Sequence, residues 1–295
     1  MRVGVVCLPT DPWPEWSARA RHLDELGFDH LWTYDHLSWR HYADGPWHAS
    51  VPLLTATAVV TSRIRLGTLV SSPNFRHPVT LAKDAMTLDA ISGGRLTLGV
   101  GAGGTGFDAV VLGEEPWSRA ERTARFGEFL HLLDRLLRDP ATTWNGRYYA
   151  AQDARMIPAS VQQPRVPLAV AAAGPRALAY AARYGDAWVT FGDPLAEDPT
   201  PEHTFRAVRQ QLARLEEECR RIGRDPAGID RVFLAGNTAE RPLSSIDAFG
   251  DFASRYAALG ITDLVVHHPR SDDPRWDDPP EILDAIAQEL LPALR

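Results

Sequence analysis

The chain has 295 residues, 44% of them hydrophobic and 23% charged, with a net charge of -7, a balance unsuited to neutralising phosphates, so no nucleic-acid partner is expected. Its two cysteines, Cys7 and Cys219, stand far apart, which excludes a disulfide scaffold and fits a reducing cytoplasm. No apolar run approaches the ~20 residues of a membrane span, and the first is too short and too early for a signal peptide.

The hydrophobic period then alternates along the chain. Residues 2–7 (RVGVVC) read as a buried strand, and 14–27 as a helix with Pro14 in its first turn and Gly27 at its end. Strand two is 29–34, followed by a polar, aromatic-rich loop over 35–48 and a helix near 49–62. Strand three is 65–70, and helix three is 78–92, stopped by Gly93-Gly94. Strand four is 95–100 and helix four 118–138. At 142–165 the alternation pauses around an Asn-Gly turn, which predicts a small hairpin or meander as an insertion. Strands five to eight follow at 167–172, 186–191, 230–235 and 261–267, with helices at 175–184, 201–222, 244–259 and 281–292. Eight strand–helix units in this length predict the α/β class, as one (β/α)8 TIM barrel domain with a small insertion after helix four. An open doubly wound sheet is the alternative, but strand one ends LPTDP without the glycines of a dinucleotide fingerprint.

In a barrel the chemistry sits at the C-terminal strand ends. Asp35-His36 follows strand two, and a histidine there can give or take a proton near neutral pH, with Asp35 orienting its ring. A loop contact is the plainer account of the same pair. The glycines of GVGAGGTGF after strand four let backbone approach a bound ring or phosphate. Gly174-Pro175-Arg176 opens a helix after the small residues of strand five, where free N–H groups favour an anion and Arg176 adds a charge. His267-His268 ends strand eight. Neighbouring strand residues face opposite ways, so only one reaches the barrel axis, and no metal site is expected. The loop 35–48 carries Trp39, His41, Tyr42, Trp47 and His48, and with Trp13 it suggests a lid over a small-molecule substrate. Arg119, Arg122 and Arg125 read as a solvated helix face, and Cys7 as a buried, inert thiol.

The segments LWTYDHL, SRIRLGTLVSSPNFRHPVTLAKDAMTLDAISGGRLTLGVGAGG, WNGRYY and AAAGPRALAYAARYGDAWVTFG together resemble the luciferase-like monooxygenase superfamily over about residues 1–195. The likeness is greatest to the branch that uses coenzyme F420, an 8-hydroxy-5-deazaflavin. The resemblance implies a cofactor ring in the barrel mouth, with His36 beside it and Asp35 accompanying. It implies a non-proline cis peptide at Leu69-Val70 under the ring, with Ser71 following. Ala102 and Gly103 align with backbone along the cofactor tail. Ala172, Ala173, Gly174, Pro175 and Arg176 align with a phosphate cradle, and Thr190 and Phe191 with further contacts. Arg40, Arg76 and Arg176 are candidates for an anionic tail. The sugar-phosphate dehydrogenases of the family carry a glutamate where Gly104 stands, so that activity is not expected. The implied reaction is hydride transfer to or from an unsaturated substrate, and the implied assembly a homodimer in the cytoplasm. Three alternatives stand beside it: an FMN-dependent monooxygenase on the same fold, a non-catalytic ligand-binding barrel and, last, a metal-dependent hydrolase.

Overall fold

A computed structural model describes residues 1–39, 42–104, 107–236 and 239–294. Arg40, His41 and Asn237 lie outside those residues. Strands β1 (Arg2–Val6), β2 (His30–Thr33), β3 (Arg65–Thr68), β4 (Leu96–Val100), β7 (Leu168–Ala171), β8 (Ala187–Thr190), β9 (Asp230–Leu234) and β10 (Asp263–His267) close into a parallel barrel. Their order around the barrel is β1-β10-β9-β8-β7-β4-β3-β2, as the eight-unit pattern predicts.

Most helices fall within one or two residues of their predicted bounds, because their ends carry local signals. α1 (Trp13–Leu26) ends at Gly27 and α3 (Pro78–Ser92) at Gly93, both left-handed. α2 is Ser50–Val60, α5 Arg119–Arg138, α6 Pro175–Tyr184, α7 Pro201–Arg221 and α8 Ile246–Ala258. The last predicted helix divides into α9 (Ile282–Glu289) and α10 (Leu291–Leu294). The short helix α4 (Phe107–Val111) is not predicted, since five residues are too few to show a period. The insertion is an antiparallel hairpin of β5 (Ala141–Asn145) and β6 (Ala150–Arg155). Its tip is tied to α5 by Glu128, whose carboxylate accepts from the N–H groups of Arg147, Tyr148 and Tyr149.

Strand alternation divides the core in two. Outward residues pack under the helices, and inward residues fill the barrel. Val6, Trp32, Leu69, Ala169, Ala187, Val189, Val232, Leu234 and Val265 form the inner cluster. Trp32 occupies space that glycine leaves: a Cβ on Gly67 would stand 2.3 Å from its ring. The next inward residues upward are Tyr34, Ala171, Phe191 and His267, and they form the floor of the mouth.

Candidate active site

His36 follows β2 and is held on three sides. Its Nδ1 donates to Asp108 Oδ2 at 2.7 Å, and Asp108 Oδ1 accepts from Leu37 N–H at 2.8 Å. Trp39 stacks on the imidazole with centroids 4.1 Å apart, and Trp47 Nε1 donates to the His36 carbonyl at 3.0 Å. Asp108 is 2% exposed, so its charge acts on His36 with little screening by water. The bond at Nδ1 leaves Nε2 as the ring atom available to a ligand.

Asp35 does not orient this ring, contrary to the expectation. It turns inward, fully buried, and accepts from Ser50 Oγ at 2.6 Å and Ser71 Oγ at 2.5 Å. Arg76 grips the same carboxylate through Nε at 3.0 Å and Nη2 at 2.6 Å. A buried carboxylate needs such partners, and this set binds the β2, β3 and α2 ends together. The Ser71 hydroxyl and the Nε and Nη2 of Arg76 are therefore engaged within the protein.

Leu69-Val70 is a non-proline cis peptide, at the place the resemblance implies. Val70 is half-buried and packs on the inner cluster. Gly101 and Gly103 beside it are required by close approach: a Cβ would stand 2.6 Å from Val70 and from Asn74 respectively. Ala102 and Gly103 are half-buried, and the Gly103 carbonyl accepts from Arg122 Nη1 at 2.9 Å. Arg125 donates to Tyr149 Oη at 3.0 Å. Arg122 and Arg125 thus brace the mouth and hairpin rather than forming a solvated face, while Arg119 is exposed.

Across the mouth, β7 ends at Ala171, and Ala172 and Ala173 lead into α6. Gly174 is the N-cap of α6 and offers no side chain to the first turn. The N–H groups of Arg176 and Ala177 precede the first intrahelical donor, Leu178 N–H, which bonds the Gly174 carbonyl, and Pro175 has no N–H to satisfy. A Cβ at Gly174 would meet nothing within 4 Å, and Arg176 is exposed. Small residues, N–H groups ahead of the first helical bond and the Arg176 charge are the donor set that suits a phosphate. Phe191 is half-buried on the mouth floor, but Thr190 is 3% exposed and donates to Gln211 Oε1 at 2.5 Å. Its hydroxyl also accepts from Gly192 N–H, so the Thr190 side chain is not a cofactor contact.

The lid residues divide. Trp39 and Trp47 fold onto His36, His48 is exposed, and Trp13 is 40% exposed at the start of α1. His267 is buried and burial pushes its pKa down to about 3, so it is neutral. His268 is pushed to about 4 by the same cause and hydrogen-bonds the Pro269 carbonyl. Among the described residues no group of three or more His, Cys, Asp or Glu side chains is placed to hold a metal, and no helix is long and apolar enough to cross a membrane. Cys7 is buried, and desolvation raises its thiol to about 12, as expected of an inert cysteine. Asp108 is the site residue that sequence reasoning missed. The one available signal was an acid just beyond the glycine-rich loop.

A family model described as luciferase-like monooxygenase matches residues 1–241. An F420-dependent glucose-6-phosphate dehydrogenase from Beutenbergia cavernae is 34% identical, covering 92% of this chain and 90% of its own. A 4-hydroxyprotoasukamycin monooxygenase from Streptomyces nodosus subsp. asukaensis is 34% identical over 80% of this chain and 62% of its own. Among solved structures, the coenzyme F420-dependent tetrahydromethanopterin reductase of Methanopyrus kandleri superposes with a TM-score of 0.77 at 18% identity, over 100% of this chain and 99% of that one. That likeness speaks for the barrel itself. By the family match and these relatives, the chain belongs to the luciferase-like monooxygenase family.

Proposed function

We propose that this enzyme, an F420-dependent oxidoreductase, transfers a hydride between coenzyme F420 and an unsaturated small organic substrate, with His36 handling the proton. The observation that carries the proposal is the two-sided mouth. One rim holds an imidazole rigidly, and the other offers small residues leading into an uncapped helix start. When bound, the deazaflavin supplies or accepts the hydride at its C5. The remaining work belongs to the chain. Gly174, Arg176 and the first turn of α6 bind the phosphate, and Val70, Ala171 and Phe191 seat the ring. Trp39 and Trp47 shield His36 from water. Asp108 keeps the Nδ1 proton in place, so that Nε2 meets the substrate and can give up or accept a proton there.

The sugar phosphate named for several relatives is not carried over. Gly104 is exposed, with open space where a Cβ would stand, so the position at which the resemblance places a glutamate carries no acid. Proton handling then falls to His36. The resemblance supports a homodimer and the two unpaired cysteines a reducing cytoplasm, and both are part of this proposal.

The test is fluorescence-quench titration with F420 and, separately, FMN, followed by turnover of His36→Ala. F420 binds far more tightly than FMN, and His36→Ala lowers kcat by about 10²- to 10⁴-fold with little change in F420 affinity. Preference for FMN moves the enzyme to oxygen chemistry. Unchanged turnover removes His36 from the reaction.

A further inference from the structure

A cleft of about 420 Å³ lies between the loop joining α4 to α5, the second turn of α5 and the tip of the β5–β6 hairpin. That volume suits a small molecule. Its lining is Glu114, Glu115 and Trp117 from the loop, Arg125 from α5, and Arg147 and Tyr148 from the hairpin tip. Trp117 and Tyr148 are half-buried and meet edge-on with centroids 5.7 Å apart, which makes an aromatic wall. Ser118 caps α5 by accepting from Glu121 N–H, so the start of that helix already has a partner.

The arginines are held by their faces. Arg125 Nε donates to Tyr149 Oη at 3.0 Å, and its guanidinium carbon stands 5.1 Å from the Trp117 centroid and 5.8 Å from that of Tyr149. The Arg147 guanidinium lies 5.2 Å from the Tyr148 centroid. A guanidinium stacked on a ring still has its N–H edge to offer to a ligand. Among the described residues, the Arg125 Nη groups and the Arg147 guanidinium make no hydrogen bond or ion pair, and the carboxylates of Glu114 and Glu115 accept none. Glu128, the acid next to the hairpin tip, is occupied by the N–H groups of Arg147, Tyr148 and Tyr149. Arg122, one turn before Arg125, is turned to the Gly103 carbonyl. Two guanidinium groups and two carboxylates therefore line one space without pairing with each other.

An anion alone would meet the two carboxylates, and a cation alone the two arginines. A ligand that carries both charges on a short apolar body satisfies both sets. Its carboxylate accepts from the guanidinium edges, its ammonium donates to the glutamates, and its body lies on the aromatic wall. We propose that this cleft binds a free α-amino acid with an aromatic or other large apolar side chain. The amino acid is held there and not transformed, and the site is separate from the one proposed for hydride transfer.

The experiment is NMR of the full chain labelled with ¹⁵N-tryptophan and titrated with phenylalanine. The Trp117 indole resonance, identified by its loss in Trp117→Phe, should shift and saturate with a Kd of about 0.1–1 mM, as a ligand of this size in an open cleft would. Phenylpropionate lacks the ammonium and phenylethylamine lacks the carboxylate, and each should bind at least about tenfold more weakly. Arg147→Ala, and Glu114→Gln combined with Glu115→Gln, should each weaken phenylalanine about tenfold. Thermal unfolding should not change, because all three side chains are exposed. No shift up to about 10 mM phenylalanine, or equal binding of either singly charged analogue, overturns the proposal. Displacement of phenylalanine by F420 also overturns it, since the arginines would then serve the anionic tail of the cofactor. An unchanged phenylalanine titration in the presence of F420 supports a separate site.

Discussion

The two rims of the barrel mouth are built on opposite principles. On the β2–β3 side the polar side chains are closely paired: Asp35 takes bonds from Ser50, Ser71 and Arg76, and Asp108 takes bonds from His36 and Leu37 N–H. On the β7–α6 side, alanine and glycine lead into a helix whose first turn has no side-chain cap. The first arrangement restricts motion and keeps one imidazole in one orientation. The second leaves donors and space to be completed by a ligand.

The comparison can be broken most strongly at Arg76. Arg76→Met leaves Asp35 buried without its ion-pair partner, and unfolding in urea should show a loss of about 3–5 kcal/mol. Stability equal to the parent would mean that the Asp35 cluster is not the brace of the polar rim. Next comes Asp108→Asn, which keeps a hydrogen-bond acceptor for Nδ1 and removes the charge. Turnover should fall by about 10- to 100-fold, the scale of one charge-assisted hydrogen bond. Thermal stability and F420 affinity should change little, and a parallel loss of both would make Asp108 merely structural. The smallest effect belongs to the open rim. Gly174 has backbone angles of φ -86 and ψ 161, which any residue adopts, and open space at its Cβ. Gly174→Asp should cap α6 and raise stability by a few tenths of a kcal/mol. The same carboxylate should weaken F420 binding at least about tenfold, since it occupies the donors and repels the phosphate. A variant that gains stability and keeps its affinity would place the phosphate elsewhere.

The barrel was legible because its signals are local. Eight apolar strand segments, each followed by an amphipathic helix, specify strand count and parallel sense. Gly27 and Gly93 end their helices through backbone conformation alone. His36 and Gly174-Pro175-Arg176 were likewise readable as strand-end residues, and the family resemblance located Leu69-Val70. The partners were not. Asp35 is next to His36 in sequence, which made it the natural choice to orient the ring. Yet consecutive residues at the strand end diverge, and Asp35 turns to Arg76, 41 residues on, while His36 turns to Asp108, 72 residues on. The Thr190 hydroxyl goes to Gln211 on α7, and Tyr34 finds His267 across the closing seam of the barrel. Local sequence determines which residues reach the mouth, because strand period and helix caps act over a few residues. Only tertiary structure decides which of them touch, because that choice depends on barrel closure bringing distant strand ends within hydrogen-bonding distance.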